Sequence, residues 1–303
     1  MVRLLLLIAL LSSLLLLGSA KGLTIVVTFP NLEEDIKLVA PEDVVKSIVP
    51  VGVDPHTYQL TPADIENLKR ADVIISTAHT HFEMKIREMI ENGEIKAKLV
   101  EIPEIPGIKI LKNPVTHTSN YHMPIYDPEN YKVFIRYVSE ILFNITGDKS
   151  YKDRAKKVIE KVDEIMNNTK KLNVTAVADL PYTQYAVSWL NVDIKYLVMK
   201  EHGISPTPQD LQAIENAIKA GEVKLAVITK DGPKASEILL DLAKKYGIDV
   251  LYVPSPISVK SIPDKLKEIH LEKPSYQAPL EPVIGIIALL VAYVWNNWKG
   301  RSN

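Results

Sequence analysis

Residues 54–75 read DPHTYQLTPADIENLKRADVII and pass from a proline-containing loop through a helix into a short strand. Pro62 can begin the helix because its missing N–H has no partner in a first turn, and Asp64 falls in that turn. The spacing predicts a helix from Pro62 to Arg70 and a strand from Val73 to Ser76. Strands that alternate with helices in this way favour an α/β layer with parallel strands.

The same alternation recurs along both halves of the chain. Strands are predicted at Leu23 to Thr28, Val45 to Val51, Val174 to Ala178, Asp193 to Val198, Leu225 to Thr229 and Val250 to Val253, and helices at Tyr131 to Phe143, Pro208 to Ala220 and Pro233 to Tyr246. Between the halves, Ser150 to Leu172 carries apolar residues at helical spacing, which predicts an amphipathic helix of about six turns. We therefore expect two lobes of parallel-sheet βα units joined by one long rigid helix.

Composition limits the classes of protein and of site. The 303 residues are 47% hydrophobic and 24% charged, as in globular proteins of one large or two ordinary domains. Lys and Arg number 36 against 37 Asp and Glu, so no basic field favours nucleic acid. The chain has no cysteine, which excludes disulfides, thiolate metal ligands and a lipid-modified cysteine. Any bound metal must therefore be held by His, Asp or Glu.

The N-terminal segment carries an export signal. Arg3 precedes an apolar run from Leu4 to Leu17, and small residues follow as far as Ala20. This order predicts a secretory signal peptide at residues 1–20. A retained membrane helix is the alternative, although the run is shorter than the ~20 residues that a span needs.

The C-terminal segment carries a second apolar run, from Val283 to Trp295, followed by Trp298, Lys299 and Arg301. Aromatic residues at one interface and basic residues beyond it predict a C-terminal membrane helix after a proline-rich stalk. A buried or interfacial segment is the alternative, because the run again falls short of ~20 residues. The body would then lie at the outer face of the cell membrane, anchored by this helix. The predicted segments are 1–20 (signal peptide), 21–148 (N-terminal metal-binding lobe), 149–172 (linking helix), 173–272 (C-terminal lobe) and 273–303 (stalk and anchor).

Five of the seven histidines fall in three loops of the first lobe. They are His56 after a predicted strand, His79 and His81 after another, and His117 and His122 ahead of a predicted helix. Alternate residues of an extended chain face opposite ways, so at most one of His79 and His81 should point into a given site. Imidazole nitrogen suits Zn²⁺ and other first-row ions, and the sequence thus indicates a transition-metal site. His202 and His270 lie in polar surroundings that are typical of a surface.

Two of these loops carry a family resemblance. DPHTYQLTPADIENLKRADVII resembles the first-ligand motif of the zinc- and manganese-binding solute receptors of ABC importers, and YHMPIYDPEN is similar to their second. The resemblance implies two α/β lobes, a metal site in the cleft between them, and His56 and His122 as ligands. It also implies that the receptor captures Zn²⁺ or Mn²⁺ and delivers the ion to a membrane permease. We expect a monomer of this kind and no enzyme.

The second lobe departs from the family pattern. Leu180 stands where the resemblance expects the third ligand, with Asp179 beside it, and Pro254 and Ser255 stand where it expects the fourth. His79 is the leading substitute, and His117, Asp179 and Asp231 are weaker ones. Three histidines with water would suit zinc, whereas two histidines with carboxylates would suit manganese better.

Two other functions fit parts of the sequence. The missing second-lobe ligands would fit a surface adhesion or accessory module of the same fold with weakened metal binding. A metal-dependent hydrolase would need a carboxylate base beside the metal, and the chain has no H-E-x-x-H pattern to supply one. No G-x-x-x-x-G-K-[ST] phosphate loop is present either, so the chain does not itself hydrolyse ATP by that route.

Overall fold

A computed structural model describes residues 22–201 and 203–273. The predicted signal peptide at 1–20 and the apolar run of the predicted anchor lie outside the described residues. Within the part that is described, no helix is both long and apolar enough to cross a membrane.

The first sheet has four parallel strands in the order β2-β1-β3-β4. They are β1 (Thr24–Val27), β2 (Val44–Ser47), β3 (Val73–Ser76) and β4 (Lys98–Glu101). Every residue of β3 is buried, as expected for an inner strand of a parallel sheet that is covered on both faces. In the order β2-β1-β3-β4 the chain continues to one side after β1 and to the other side after β3. The carboxyl ends of these two strands therefore form a topological switch point, where α/β sheets commonly bind ligands.

The helices between β1 and β5 (Val174–Ala178) are α1 (Pro30–Lys37), α2 (Pro62–Lys69), α3 (His81–Glu91), α4 (Pro128–Thr146) and α5 (Ser150–Asn168). Three of them, α1, α2 and α4, have proline in the first turn. Gly147 ends α4 at a φ of 75°, a left-handed conformation that glycine adopts without strain. Short 3₁₀ turns lie at Ile102–Glu104 and Pro124–Tyr126.

The second sheet has the order β6-β5-β7-β8-β9. Its strands are β5 (Val174–Ala178), β6 (Val192–Leu197), β7 (Leu225–Thr229), β8 (Asp249–Val253) and β9 (His270–Glu272), and its helices are α6 (Thr183–Ser188), α7 (Pro208–Lys219) and α8 (Lys234–Tyr246). All of the strand pairs are parallel except the pair of β8 and β9. The apolar sides of α7 and α8 pack on this sheet through residues such as Ile214 and Leu239.

The chain forms two compact units, and the predicted α/β fold with parallel-sheet βα units is confirmed. The first unit contains the described residues up to Lys112, Thr118–Lys170 and Pro256–Lys267. The second contains Asn113–His117, Lys171–Ser255 and the described residues from Glu268. Helix α5 belongs to the first unit, as does α9 (Ile262–Glu268) up to Lys267. The predicted boundaries of the lobes stay a prediction.

The structure differs from the predicted elements mainly at their ends. The predicted strand from Val45 to Val51 stops at Ser47, and the predicted helix to Leu172 stops at Asn168. The helix ends there because Thr169 takes an extended conformation, with φ −102° and ψ 127°. Helices α1 and α3 were not predicted, since each is short and begins directly after a strand and a brief loop.

A buried polar network fixes α9 to the first unit. The Asp35 carboxylate, fully buried in α1, accepts hydrogen bonds from the Tyr131 hydroxyl at 2.8 Å and from the Ile262 backbone N–H at 2.7 Å. Lys265 is also fully buried and donates to the Pro256 carbonyl at 2.6 Å. Burial raises the pKa of Asp35 to about 6, against the lowering effects of Lys265 and the two hydrogen bonds. The network joins segments that are far apart in sequence.

Replacing Tyr131 by Phe should lower the free energy of unfolding by about 1–3 kcal/mol, because a buried carboxylate loses a donor. Since the pKa of Asp35 lies above its ordinary value of 3.8, stability falls as the pH rises from that value to about 6. Without the Tyr131 donor this fall should extend to higher pH. Urea unfolding between pH 4 and 8 measures both effects. Tyr137→Phe, at a half-buried position on the same helix, is the control, and an equal loss in both variants would contradict the network's role.

Candidate metal centre

Three loops of the first unit bring histidines together. His56 lies in the loop between β2 and α2, His79 in the short loop between β3 and α3, and His122 in the loop before α4. The ring centres are 5.3 Å apart for His56 and His79, 5.7 Å for His79 and His122, and 6.5 Å for His56 and His122. The three imidazoles predicted as ligands are therefore mutual neighbours.

Their spacing is close to what a shared metal requires. Imidazoles bound to one Zn²⁺ at about 2.0–2.1 Å in tetrahedral geometry hold their ring centres roughly 5 Å apart. Across residues 22–201 and 203–273, no three His, Asp or Glu side chains already meet the geometry of a formed metal site. Small ring movements that bring His122 towards His56 would therefore be needed to close the group on an ion.

The His56 loop is ordered by two acidic side chains. Asp54 accepts a hydrogen bond from the His56 backbone N–H at 3.0 Å, which fixes the turn before the histidine. Asp64 accepts from the Tyr58 hydroxyl at 2.7 Å and from the Thr61 backbone N–H at 2.8 Å, and it completes a capping box at the start of α2. Burial, and then the Asp64 carboxylate, raise the pKa of Tyr58 to about 12. The Tyr58 hydroxyl thus remains a donor that secures the loop.

The His79 loop is folded around one buried carboxylate, that of Glu83, whose residue is only 1% exposed. Its hydrogen-bond donors include Ser76 Oγ, Thr77 N and Oγ1, His79 N, and Thr80 N and Oγ1. Burial alone would raise the pKa of Glu83, but the charge of His79 and the hydrogen bonds outweigh it and lower the pKa. Ala78 takes a left-handed conformation at φ 57°, and its N–H donates to the Ser76 hydroxyl. The loop is therefore closed on itself.

The His122 loop is held by amide side chains. Asn120, which is 2% exposed, accepts from the His122 backbone N–H at 3.1 Å and lies 3.0 Å from its Nδ1 through the same Oδ1 atom. Asn130 donates to the carbonyls of Pro124 and Lys109, and so ties the loop to the preceding segment. Asp127 caps α4 by accepting from two backbone N–H groups. The histidine is thereby placed on a short, well-bonded connection.

The remaining histidines lie elsewhere. His81 and His117 are exposed, so of the pair His79 and His81 only His79 faces the other two rings. His117 belongs to the second unit. His270 is exposed on β9, where its ring stacks on Tyr252 with centres 5.5 Å apart. His202 lies outside the described residues.

The second unit offers a buried carboxylate at its own switch point, between β5 and β7. Asp179 follows β5 and accepts from the Thr229 backbone N–H and the Ser236 hydroxyl, both at 2.6 Å. Burial raises its pKa, against those two hydrogen bonds. Leu180 is buried beside it, and Asp231 is exposed at a left-handed φ of 54°.

Sequence reasoning missed the residues that support the three rings. Glu83 was detectable, because Thr80 and Glu83 stand three apart at the start of a helix, as in a capping box. Thr77 and Asn120 carry no comparable signal, since a hydroxyl and an amide near a histidine are common in loops. Their roles become visible only once the distances to the imidazole nitrogens are known.

Comparison with known proteins adds an independent line of evidence. Residues 25–267 match the family described as "Zinc-uptake complex component A periplasmic", ZnuA. The metal ABC transporter substrate-binding lipoprotein of Lactococcus lactis is 23% identical over 222 residues, which cover 67% of this chain and 70% of that protein. The manganese-binding lipoprotein MntA of Bacillus subtilis is 26% identical over 223 residues, covering 72% and 66%.

A solved structure shares the fold. The solute-binding protein FpvC from Pseudomonas aeruginosa, in complex with Mn²⁺, matches with a TM-score of 0.67. The match is 16% identical in sequence and covers 81% of this chain and 94% of FpvC. At this identity the match is evidence for the fold alone.

Replacing Glu83 by Gln should lower the free energy of unfolding by about 3 kcal/mol, because the amide N–H₂ would face donors that need an acceptor. The lowered pKa means that the Glu83 contribution is present above its ordinary value of 4.5 and is lost as the pH falls through its folded-state pKa. Unfolding curves from pH 2 to 7 should therefore show a flatter acid limb for the variant. Glu88→Gln on the exposed side of α3 is the control and should stay within about 0.5 kcal/mol of the parent.

Proposed function

The chain belongs to the ZnuA family of periplasmic zinc-uptake components, as its histidine motifs predicted, and we propose that it captures a divalent transition metal and delivers it to an ABC import permease. The named relatives support this role, since one is a metal ABC transporter substrate-binding lipoprotein and another is manganese-binding. Both relatives are named as binding proteins. The metal is cargo, taken up and released, and not a resident cofactor.

The observation that carries the proposal is the convergence of His56, His79 and His122 within one unit. Each ring comes from a loop that is already ordered by its own hydrogen bonds, so little conformational entropy is lost when an ion binds. Three protein ligands leave a fourth position for water. We propose a site supplied by the first unit alone, and the cleft placement implied by the family resemblance stays a prediction.

The donor set favours zinc over manganese. Zn²⁺ is commonly tetrahedral with imidazole ligands, whereas Mn²⁺ binds the same nitrogen ligands more weakly and favours oxygen. In the second unit, Leu180 cannot coordinate, and the Oδ2 atom of Asp179 accepts from Thr229 and Ser236. The absence of ligands at the family's second-lobe positions is also what would favour an accessory module with weakened metal binding.

Replacing any one of His56, His79 and His122 by Ala should weaken zinc binding by more than the roughly 10–100-fold that loss of an outer hydrogen-bond partner costs. Each variant removes one of three nitrogens that the ion needs. Calorimetry or competition with a chelating dye on the purified chain measures the affinities for Zn²⁺ and Mn²⁺. We expect the parent to bind Zn²⁺ more tightly than Mn²⁺.

His81→Ala and His117→Ala are matched controls, because both side chains are exposed. His81 begins α3 two residues after His79, and His117 stands five residues before His122 in the sequence. Both should bind zinc like the parent. Loss of binding in these controls but not in the three predicted ligand variants would reject the site. A parent that binds neither ion better than micromolar would instead favour the accessory module.

We further propose that the body is exported and held at the membrane by its C-terminal segment. The relatives are named lipoproteins, but this chain has no cysteine to carry a lipid in their manner. Support for the anchor comes from the sequence, in which an apolar run from Val283 to Trp295 precedes Lys299 and Arg301. Tethering would keep the receptor near its permease and raise the local concentration of the receptor.

Ending the chain after Lys273 should move the protein from the membrane fraction to the soluble exported fraction. The apolar run is what the anchor requires, so its loss removes the attachment. Fractionation of the parent and the shortened chain, followed by an alkaline carbonate wash, measures this. A chain in which Leu289 and Leu290 are replaced by Lys is the control of matched length, and its retention in the membrane would contradict the anchor.

A further inference from the structure

The hydrogen-bond donors and acceptors around His79 decide which of its ring nitrogens carries the proton. Thr77 Oγ1 lies 2.8 Å and 2.9 Å from the two carboxylate oxygens of Glu83 and 2.8 Å from His79 Nδ1. A hydroxyl has one hydrogen, and an ionised carboxylate can only accept. The Thr77 hydrogen is therefore directed to Glu83, and the Thr77 oxygen can only accept from Nδ1–H of a neutral His79 ring.

We propose that Thr77 and Glu83 are positioning residues that commit His79 to the tautomer with a proton on Nδ1 and a lone pair on Nε2. The chain of hydrogen bonds runs from His79 Nδ1–H to the Thr77 hydroxyl and from that hydroxyl to the Glu83 carboxylate. The role in metal binding rests on the function proposed above. Outer partners of this kind orient a ligand ring and raise its basicity.

His122 reaches the same tautomer through a different partner. Asn120 Oδ1 accepts from the His122 backbone N–H, which identifies this atom as the oxygen and not the amide nitrogen. Because an amide oxygen only accepts, His122 Nδ1 must be the donor across their 3.0 Å contact in the neutral ring. Two of the three rings thus carry their proton on Nδ1 and the lone pair on Nε2, one with Nδ1 held by a neutral amide and one with Nδ1 held by a hydroxyl that donates to a carboxylate.

The burial of the hydrogen bond from Thr77 to Glu83 strengthens it. Thr77 and Glu83 are each 1% exposed, so water does not compete for the hydrogen bonds and screening is weak. The other donors to Glu83 hold its carboxylate in place from separate directions. The Thr77 hydroxyl therefore has little freedom to turn away from the carboxylate.

The test compares Thr77→Val with Thr77→Ser in the full chain, purified in detergent with ¹⁵N-labelled histidine. Valine keeps the shape but puts a methyl group where the hydroxyl was, whereas serine keeps the hydroxyl. Long-range ¹H–¹⁵N spectra of the metal-free protein at about pH 8 report the tautomer of each ring. The parent and Thr77→Ser should show His79 with Nδ1–H, and Thr77→Val should lose this preference while His122 keeps its own.

Zinc affinity provides the second measurement. Thr77→Val should bind Zn²⁺ roughly 10–100-fold more weakly than the parent, and Thr77→Ser should bind like the parent. In a His79→Ala background the valine substitution should have no further effect, because Thr77 acts through His79. A comparable additional loss in that background would overturn the proposal, since it would indicate general damage to the loop.

The two measurements separate this inference from the proposed function. If Thr77→Val keeps the parent tautomer and the parent affinity, the positioning role is wrong even though zinc still binds. If the parent binds no metal, the metal-capture function fails, and the spectra still decide the tautomer. A parent His79 ring with its proton on Nε2 would overturn the inference whatever the binding result.

Discussion

The burial of one ionised carboxylate constrains the whole His79 loop. Glu83 lies in the first turn of α3 with its side chain shielded from water, and an unpaired charge there would cost several kcal/mol. The loop from Ser76 to Thr80 meets this demand by directing its hydroxyls and backbone N–H groups inward, even at the expense of a left-handed Ala78. The side chain of His79 is half-buried beside this closed loop, with its Nδ1 side turned to Thr77.

Topology explains which segment packs beside this loop. In the order β2-β1-β3-β4 the carboxyl ends of β1 and β3 are adjacent, and the segments that follow them pack side by side. Phe29 after β1 contacts both His79 and Phe82, which gives the loop an apolar wall. The second sheet has an equivalent point between β5 and β7, but there Asp179 is buried against Thr229 and Ser236. In the second unit the Oδ2 atom of Asp179 thus stabilises the loops at the switch point through these hydrogen bonds.

Much of the fold could be predicted from the sequence because βα alternation is a local property. Pro62 with Asp64 identified α2, and the motifs around His56 and His122 predicted these two loops as ligand loops. Their mutual distances could not be predicted, since these depend on strand order and on contacts over long sequence separations. The supporting residues were missed for the same reason: Thr77 and Asn120 are ordinary loop residues until their partners are in place. The end of α5 was misplaced because a polar C-terminal turn has no sharp sequence signal.

A metal site with only neutral ligands depends on the order of the loops that carry them. Three imidazoles contribute no negative charge, so the affinity must come from geometry and from the basicity of each nitrogen. The negative charge of Glu83 is shared among its hydrogen-bond donors, and the Thr77 hydroxyl that donates to it contacts His79. The carboxylate therefore stabilises the loop, and in the proposed site it would raise the donor strength of His79 through the same hydrogen bonds. Because these bonds lie within the loop itself and involve its backbone and the Nδ1 side of His79, the loop's order rests on its own residues.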